Sequence, residues 1–262
     1  MTWIFLGDTA PSKIFVWGTE VSKVFVWDTK VRPTWPDKDY LCFTANTAWS
    51  TVQLNKTWSP TSVTLETSTD GSTWTTYTFW TAITLTNIGD KVYWRNTSET
   101  DTGFTTGTSA NYRFVMTWLI AWSWDINYLL NKNSTTTLSA HCFNRLFANC
   151  TSLTTCPKLL ATSLWESCYD YMFTWCTSLI TLPKLPAITL MKSCYERMFN
   201  GCSSIKLSTT QTWDYIQAYR IPTEWTWTTA TSALYQMFAS TWWTFTWSAS
   251  INTTYYTSNT VV

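Results

Sequence analysis

The residues best suited to chemistry in this chain stand side by side at His141 and Cys142. A cysteine activated by a neighbouring imidazole is a common nucleophile in enzymes. His141 is the single histidine of the chain, however, so neither a His-based metal site nor a pair of histidines can form. We therefore expect His141 to flank the first of the repeats described below rather than to act in catalysis.

The remaining reactive side chains form no recognisable catalytic or metal-binding motif. The eight cysteines include no C-x-x-C pair, the spacing typical of structural zinc sites. No glycine-rich phosphate loop, paired-carboxylate motif or Ser-His-Asp set stands out, and the acidic residues of SWDIN and NIGDK are typical of turns. The sequence thus predicts a protein that is not an enzyme and that has no catalytic residue, cofactor, cofactor-binding residue or metal ligand.

Charge and hydropathy exclude two classes of partner. The formal net charge is +1 and charged residues make up 13% of the chain, so no broad basic field is available to attract nucleic acid. No apolar run reaches the roughly 18–20 residues of a membrane helix. The start, MTWIFLGDTAPSK, lacks the basic and apolar regions of a secretory signal peptide. We expect no nucleic-acid binding, no membrane insertion and no signal peptide.

An internal repeat organises the second half of the chain. Three copies begin at Cys142, Cys168 and Cys194, with a constant period of 26, and a degraded fourth copy, LYQMFAS, contains Met237 and Phe238. This period lies within the roughly 20–29 residues of leucine-rich repeats. The columns that predict the repeat core are Cys142, Phe147, Cys150, Leu153, Cys168, Met172, Phe173, Cys176, Leu179, Cys194, Met198, Phe199, Cys202 and Ile205.

Each copy reads as one short helix followed by one short strand. In SCYERMF, the spacing of Cys194 and Met198 predicts a helical face, while CTSLITLP predicts a strand that Pro183 ends. Neither element buries a core alone, so stacked copies predict a short leucine-rich-repeat solenoid with a C-terminal cap over residues 131–262. The cysteine columns suit small buried thiols, with disulfides as the alternative.

A second repeated column consists of lysines. Lys158 and Lys184 recur with the same period, each followed by leucine, and would form a mildly basic stripe along the solenoid. A solvated face and a binding surface both fit this pattern.

The first half of the chain predicts β-structure. KIFVW and KVFVW predict a β-hairpin segment over residues 1–37. Over residues 38–130, SVTLET, TTYTF, AITLT, KVYWR and NYRFVM predict short strands of an Ig-like β-sandwich, with a hairpin turn at Asp70–Gly71. The predicted fold class is mainly β with short helices.

The chain has 20 tryptophans and only 7 glycines, although its turns call for glycine. Asn149, Trp175 and Gly201 share one repeat column, at a place where a left-handed backbone is expected and tryptophan fits poorly. We hypothesise that many tryptophans stand for glycine through recoding of UGA; a truly Trp-rich protein is the alternative. Trp74 and Trp94, in predicted strands, are expected to be genuine. Positions that read naturally as glycine include Trp17, Trp27, Trp122, Trp124, Trp225, Trp227, Trp242 and Trp243.

Residues 138–205, through LFANCTSLTTCPKL, SCYDYMFTWCTSLITLPKLPAITL and SCYERMFNGCSSI, resemble the BspA-like leucine-rich repeat family. The resemblance implies a cell-surface or virus-encoded protein of adhesion and recognition. KVFVWDTKVRP also resembles openings of phage structural proteins. We therefore expect a non-catalytic recognition protein, virion-associated or at a bacterial surface, that binds a surface protein, a glycan or other virion proteins through its repeat face. The alternative is a carbohydrate-binding module that stacks sugars on exposed tryptophans.

Overall fold

The computed structural model divides the chain into two compact units, Met1–Trp35 and Pro36–Val262. It describes residues 15–16, 19–20, 40–57, 63–99, 101, 103–104, 112–123, 125–131, 138–221, 230–241 and 248–262. In the first unit, β1 (Phe15–Val16) pairs antiparallel with β2 (Thr19–Glu20). The second predicted strand there, KVFVW, lies outside the described residues.

The described residues of the larger unit form three antiparallel sheets. Two are built from the residues before position 124, with strand orders β10-β3-β8-β5-β6 and β7-β4-β9; the third has the order β11-β13-β12. The strands are β3 (Leu41–Ala45), β4 (Ser50–Lys56), β5 (Leu65–Ser68), β6 (Thr75–Thr76), β7 (Ile83–Leu85), β8 (Lys91–Asn96), β9 (Tyr112–Thr117), β10 (Ile120–Ser123), β11 (Leu207–Ser208), β12 (Gln217–Arg220) and β13 (Thr254–Thr257).

Alternation of apolar and polar residues explains the early strands. In β9, Tyr112, Phe114 and Met116 are buried and the residues between them are exposed, as the sequence predicts. The predicted turn at Asp70–Gly71 is also confirmed, since it joins β5 to β6 and Gly71 has φ +75°. The strand β9 thus formed where the period-two pattern indicated it, whereas β3, β4 and β10 were not predicted.

The predicted helices and strands of the repeats are wrong for the described residues. The sole helix there is a 3-10 helix, Ile126–Leu129, which Asp125 caps by accepting a hydrogen bond from the Asn127 N–H. From residue 141 to 150 the backbone forms overlapping four-residue turns, as in the hydrogen bond from Cys150 N–H to the Phe147 carbonyl. The described chain is therefore mainly β, with almost no helix.

The reason for this difference is a left-handed residue at every fourth position. His141, Arg145 and Asn149 have φ values of 60°, 57° and 64°, and the same pattern recurs in later copies. A residue with positive φ cannot continue a right-handed helix. The i, i+4 spacing of the apolar residues, which predicted a helix, arises here from a four-residue turn period.

One hydrophobic core runs through the described residues of the larger unit. Rings of the two early sheets touch, with Phe43 and Trp94 at 5.0 and 5.2 Å from Phe114 between ring centroids. The predicted boundary near residue 131 lies inside this unit, and the N–H of Phe114 donates to the carbonyl of Leu146 across it.

Candidate interaction surface

Successive repeats are joined by backbone hydrogen bonds in one direction. The N–H of Phe147 donates to the Met172 carbonyl (3.0 Å) and that of Phe173 to the Met198 carbonyl (2.9 Å). Alternate N–H groups of each copy point to the next copy, while the others close the four-residue turns. Equivalent residues of neighbouring copies consequently lie side by side.

A ladder of stacked rings follows from this register. Phe114, Phe147, Phe173, Phe199 and Phe238 stack in order, with centroids 5.1, 5.6, 5.6 and 5.7 Å apart and ring planes within 11° of parallel. Phe238, from the degraded fourth copy, therefore occupies the same column as its equivalents. Sequence reasoning missed Phe114, because its separation from Phe147 does not match the period of the repeats.

The predicted core columns are all buried in the structure. Their members are Cys142, Phe147, Cys150, Leu153, Cys168, Met172, Phe173, Cys176, Leu179, Cys194, Met198, Phe199, Cys202 and Ile205.

The eight cysteines are free thiols and all are buried. Cys150, Cys176 and Cys202 each donate a hydrogen bond to the carbonyl of the ladder phenylalanine one segment earlier, at 3.2, 3.0 and 3.0 Å. Burial raises the pKa of the Cys150 thiol to about 12. These thiols therefore pack as small buried side chains that donate hydrogen bonds, and none of them forms a disulfide in the structure.

The His141–Cys142 pair lacks the environment of a nucleophile. The Cys142 side chain is fully buried, and this burial raises the pKa of its thiol well above the usual value. A catalytic cysteine needs the opposite shift, since the thiolate is the reactive form. His141 begins the turn series of the first copy, where its backbone has φ +60°.

A row of arginine and tyrosine was not anticipated from the sequence. The Arg145 guanidinium lies 4.6 Å from the Tyr171 ring centroid, and the Arg197 guanidinium lies 5.2 Å from Tyr171 and 5.3 Å from Tyr235. Arg197 Nε also donates to Gln236 Oε1 at 2.6 Å. The period-26 column of Arg, Tyr and Arg was the available signal for this Arg–Tyr row.

A buried carboxyl group lies beside that row. Asp170 Oδ2 accepts a hydrogen bond from Asn144 Nδ2 at 3.0 Å, while Asp170 Oδ1 has no partner within the described residues. Desolvation, reinforced by Glu196, raises the pKa of Asp170 to about 7, although Arg145 and Arg197 oppose the shift. Asp170 is thus an acidic side chain of the repeats whose charge depends on pH near neutrality.

The two lysines of the predicted stripe are both exposed. Their segments run in parallel, since the Ile180 N–H donates to the Thr154 carbonyl and Ser163 bridges to Thr189. Lys158 and Lys184 occupy equivalent places along the backbone between these two contacts.

An open cleft of about 540 Å³ lies beside the third copy. Its lining residues are Ile180, Ser203, Ser204, Lys206, Ser258 and Asn259. Hydroxyl and amide groups give it a polar wall with one cationic side chain.

Among the described residues, no three His, Cys, Asp or Glu side chains are grouped as a metal ion would require. Within that same part of the chain, no helix has the length and apolar character needed to cross a membrane. The chain matches no family model, no curated protein and no solved structure.

Proposed function

We propose that this is a non-catalytic recognition protein whose repeats stack as a short solenoid of the BspA-like leucine-rich repeat type. The observation that carries the proposal is the one-directional hydrogen bonding between copies, together with the phenylalanine ladder. Such stacking holds outward side chains in rows with a fixed spacing, which is what an extended recognition surface requires.

The two early sheets support an Ig-like β-sandwich ahead of this solenoid. Their aromatic contacts, such as Phe43 with Phe114, lie between the sheets as in a sandwich core. Because β9 also hydrogen-bonds to the first copy, the sandwich would serve as a rigid base for the repeat face.

The proposed contact face is the stripe that contains Lys158 and Lys184. Exposed cations suit an acidic protein or glycan on a cell surface, or an acidic face of another virion protein. The proposed setting is a virion or a bacterial surface.

Binding of the purified protein to intact bacterial cells and to a printed array of cell-wall polysaccharides tests this proposal. Lys158→Glu combined with Lys184→Glu should weaken binding roughly tenfold, since each change places a negative charge in the stripe. The matched control is Lys206→Glu, an exposed lysine of the polar cleft. Equal binding by both variants would exclude the stripe as the contact face.

A carbohydrate-binding module remains the second candidate, because of its exposed indoles. Trp49 and Trp118 are 64% and 63% exposed, and they border the paired ends of β4 and β9, where Thr51 faces Thr117. Sugars stack on such rings. This candidate requires that oligosaccharides quench tryptophan fluorescence and that Trp49→Gly and Trp118→Gly abolish binding.

A further inference from the structure

Four tryptophans have a backbone conformation that suits glycine. Trp49, Trp80, Trp118 and Trp175 have φ values of 64°, 69°, 59° and 60°. Positive φ is unfavourable for a bulky side chain, because its Cβ approaches the following carbonyl oxygen. The repeat turns nevertheless place other large residues there, such as Arg145, Tyr171 and Arg197. These four are nearly half of the tryptophans in the described part of the chain, so chance strain at a single turn does not account for them.

Trp80 occupies the same turn position as a true glycine. The Thr81 N–H donates to the Thr78 carbonyl at 3.2 Å, which makes Trp80 the third residue of a four-residue turn. Gly89 is the third residue of a turn closed by Asp90 and Asn87, also at 3.2 Å, and has φ +88°. A turn with positive φ at this position ordinarily requires glycine or asparagine.

The repeat column gives a second, independent match. Asn149, Trp175 and Gly201 are each the third residue of the turn closed by a core cysteine, and their φ values are 64°, 60° and 75°. Two copies therefore contain the residue types that this conformation favours, and only the middle copy contains an indole.

The indole of Trp175 also lies against the neighbouring copy. A Cβ atom at Gly201 would be 2.6 Å from Trp175 Cε3 and 2.7 Å from its Cδ2. The ring fits because the next copy lacks a side chain. The Trp175 ring lies over the backbone of Gly201 and is about half exposed, whereas the tryptophans of the core are enclosed.

Two buried tryptophans with ordinary backbone, Trp94 and Trp122, contrast with these four. Trp94 is fully buried among Phe43, Tyr77 and Phe114, in agreement with its expected identity. Trp122 departs from the expectation of glycine: it lies in β10, is 3% exposed and stacks on Phe43 at 5.7 Å. The remaining candidate positions, Trp17, Trp27, Trp124, Trp225, Trp227, Trp242 and Trp243, lie outside the described residues.

We infer that positions 49, 80, 118 and 175 are glycine in the protein as its source makes it. A codon that one genetic code reads as glycine and another as tryptophan would account for the difference between these four tryptophans and the buried ones. UGA is the codon expected at these four positions, and UGG at positions 94 and 122. All four residues are more than half exposed, so glycine removes four exposed indoles without opening a cavity.

This inference is independent of the recognition proposal but decides its alternative. If the four positions are glycine, the native surface has no indoles for a sugar to stack on just before β4, just after β9, in the turn before β7 or in the second copy. The Arg–Tyr row and the Lys158–Lys184 stripe are unchanged.

Peptide mass spectrometry of the protein from its source organism is the direct test. Peptides that span these four positions should have glycine masses, and the gene should carry UGA there. Tryptophan masses, or UGG at these positions, would overturn the inference.

Stability of recombinant variants is the second test. Trp49→Gly, Trp80→Gly, Trp118→Gly and Trp175→Gly should each raise the midpoint of thermal unfolding by roughly 2–4 °C, because positive φ costs glycine nothing. The controls Trp165→Gly and Trp213→Gly replace exposed tryptophans that lack positive φ and should leave the midpoint unchanged or lower it. Equal shifts in both sets would contradict the inference.

A mutant cycle adds a readout specific to the clash. Gly201→Ala should lower the unfolding midpoint more in the Trp175 protein than in the Trp175→Gly variant, because the added Cβ meets the indole only in the former. Equal losses in the two backgrounds would show that the ring is not held over Gly201.

Discussion

The early sheets and the repeats bury similar aromatic side chains on different backbones. In β9, alternate residues face the core and the strand pairs antiparallel with β4. In the repeats, four-residue turns place Phe147 and its equivalents inward, and copies pair in parallel. Phe114 belongs to both, since it lies in β9 and begins the ladder. The comparison teaches that a continuous core does not require a continuous type of secondary structure.

The largest effect should come from the ladder. Phe173→Ala should lower the free energy of unfolding by about 3–5 kcal/mol, because it empties a fully enclosed site between two rings. Phe114→Ala should cost a similar amount, since both regions share one core. Urea denaturation followed by fluorescence and circular dichroism measures both.

The control for the ladder variants is Val115→Ala, which truncates an exposed side chain next to Phe114. A separate early transition in Phe173→Ala, with the sheets still folded, would show that the two regions do not share one cooperative core.

The next largest effect is a pH dependence of stability that arises in the repeats. The pKa of Asp170 is raised from 3.8 to about 7, so the folded protein binds a proton there that the unfolded chain has lost. The stabilisation from this proton is complete below about pH 4 and is lost as the pH rises to about 7. Asp170→Asn should therefore match the wild type at pH 4 and be more stable by about 4 kcal/mol at pH 8.

Thermal unfolding of the two proteins across this pH range measures the difference. Asp214→Asn, at an exposed aspartate outside the repeats' core, is the control for the loss of a carboxylate. A difference between Asp170→Asn and the wild type that stays constant over this range would show that Asp170 is charged throughout it.

The smallest expected effect concerns cation–π contacts, which occur in both regions. Tyr171→Leu removes the ring that contacts Arg145 and Arg197, while Trp74→Leu removes the ring 4.0 Å from the Arg95 guanidinium in the sheet region. Each contact at an accessible site contributes about 0.5–1 kcal/mol. Tyr171→Leu, which loses two such contacts, should thus cost about 1–2 kcal/mol in chemical denaturation. Trp74→Leu should cost a similar amount, because it also removes the edge contact with Tyr40 at 4.8 Å. No loss in Tyr171→Leu would show that the Arg–Tyr row does not stabilise the repeats.

Some of the early strands and the repeat columns were predictable because both are properties of local spacing, but β3, β4 and β10 were not predicted. Period-two burial in NYRFVM indicated β9, and the regular recurrence of Phe and Cys indicated stacking partners such as Phe173 and Phe199. The turn geometry was not predictable, because apolar residues four apart fit an α-helix and a chain of four-residue turns equally well. The column Asn149, Trp175 and Gly201 distinguishes the turns from a helix, because a left-handed backbone is expected there.

Burial of the repeat columns follows from the amino-acid pattern alone, since buried apolar columns must recur wherever a repeated backbone presents the same face to a core. The folded chain was needed to show that Phe114 joins the ladder, that Asp170 is shielded from water and that the Trp175 ring lies over Gly201. Each depends on contacts between segments that are distant along the chain, and the amino-acid pattern does not specify which of these segments meet. Register between neighbouring backbones, set by directional hydrogen bonds, brings those groups together.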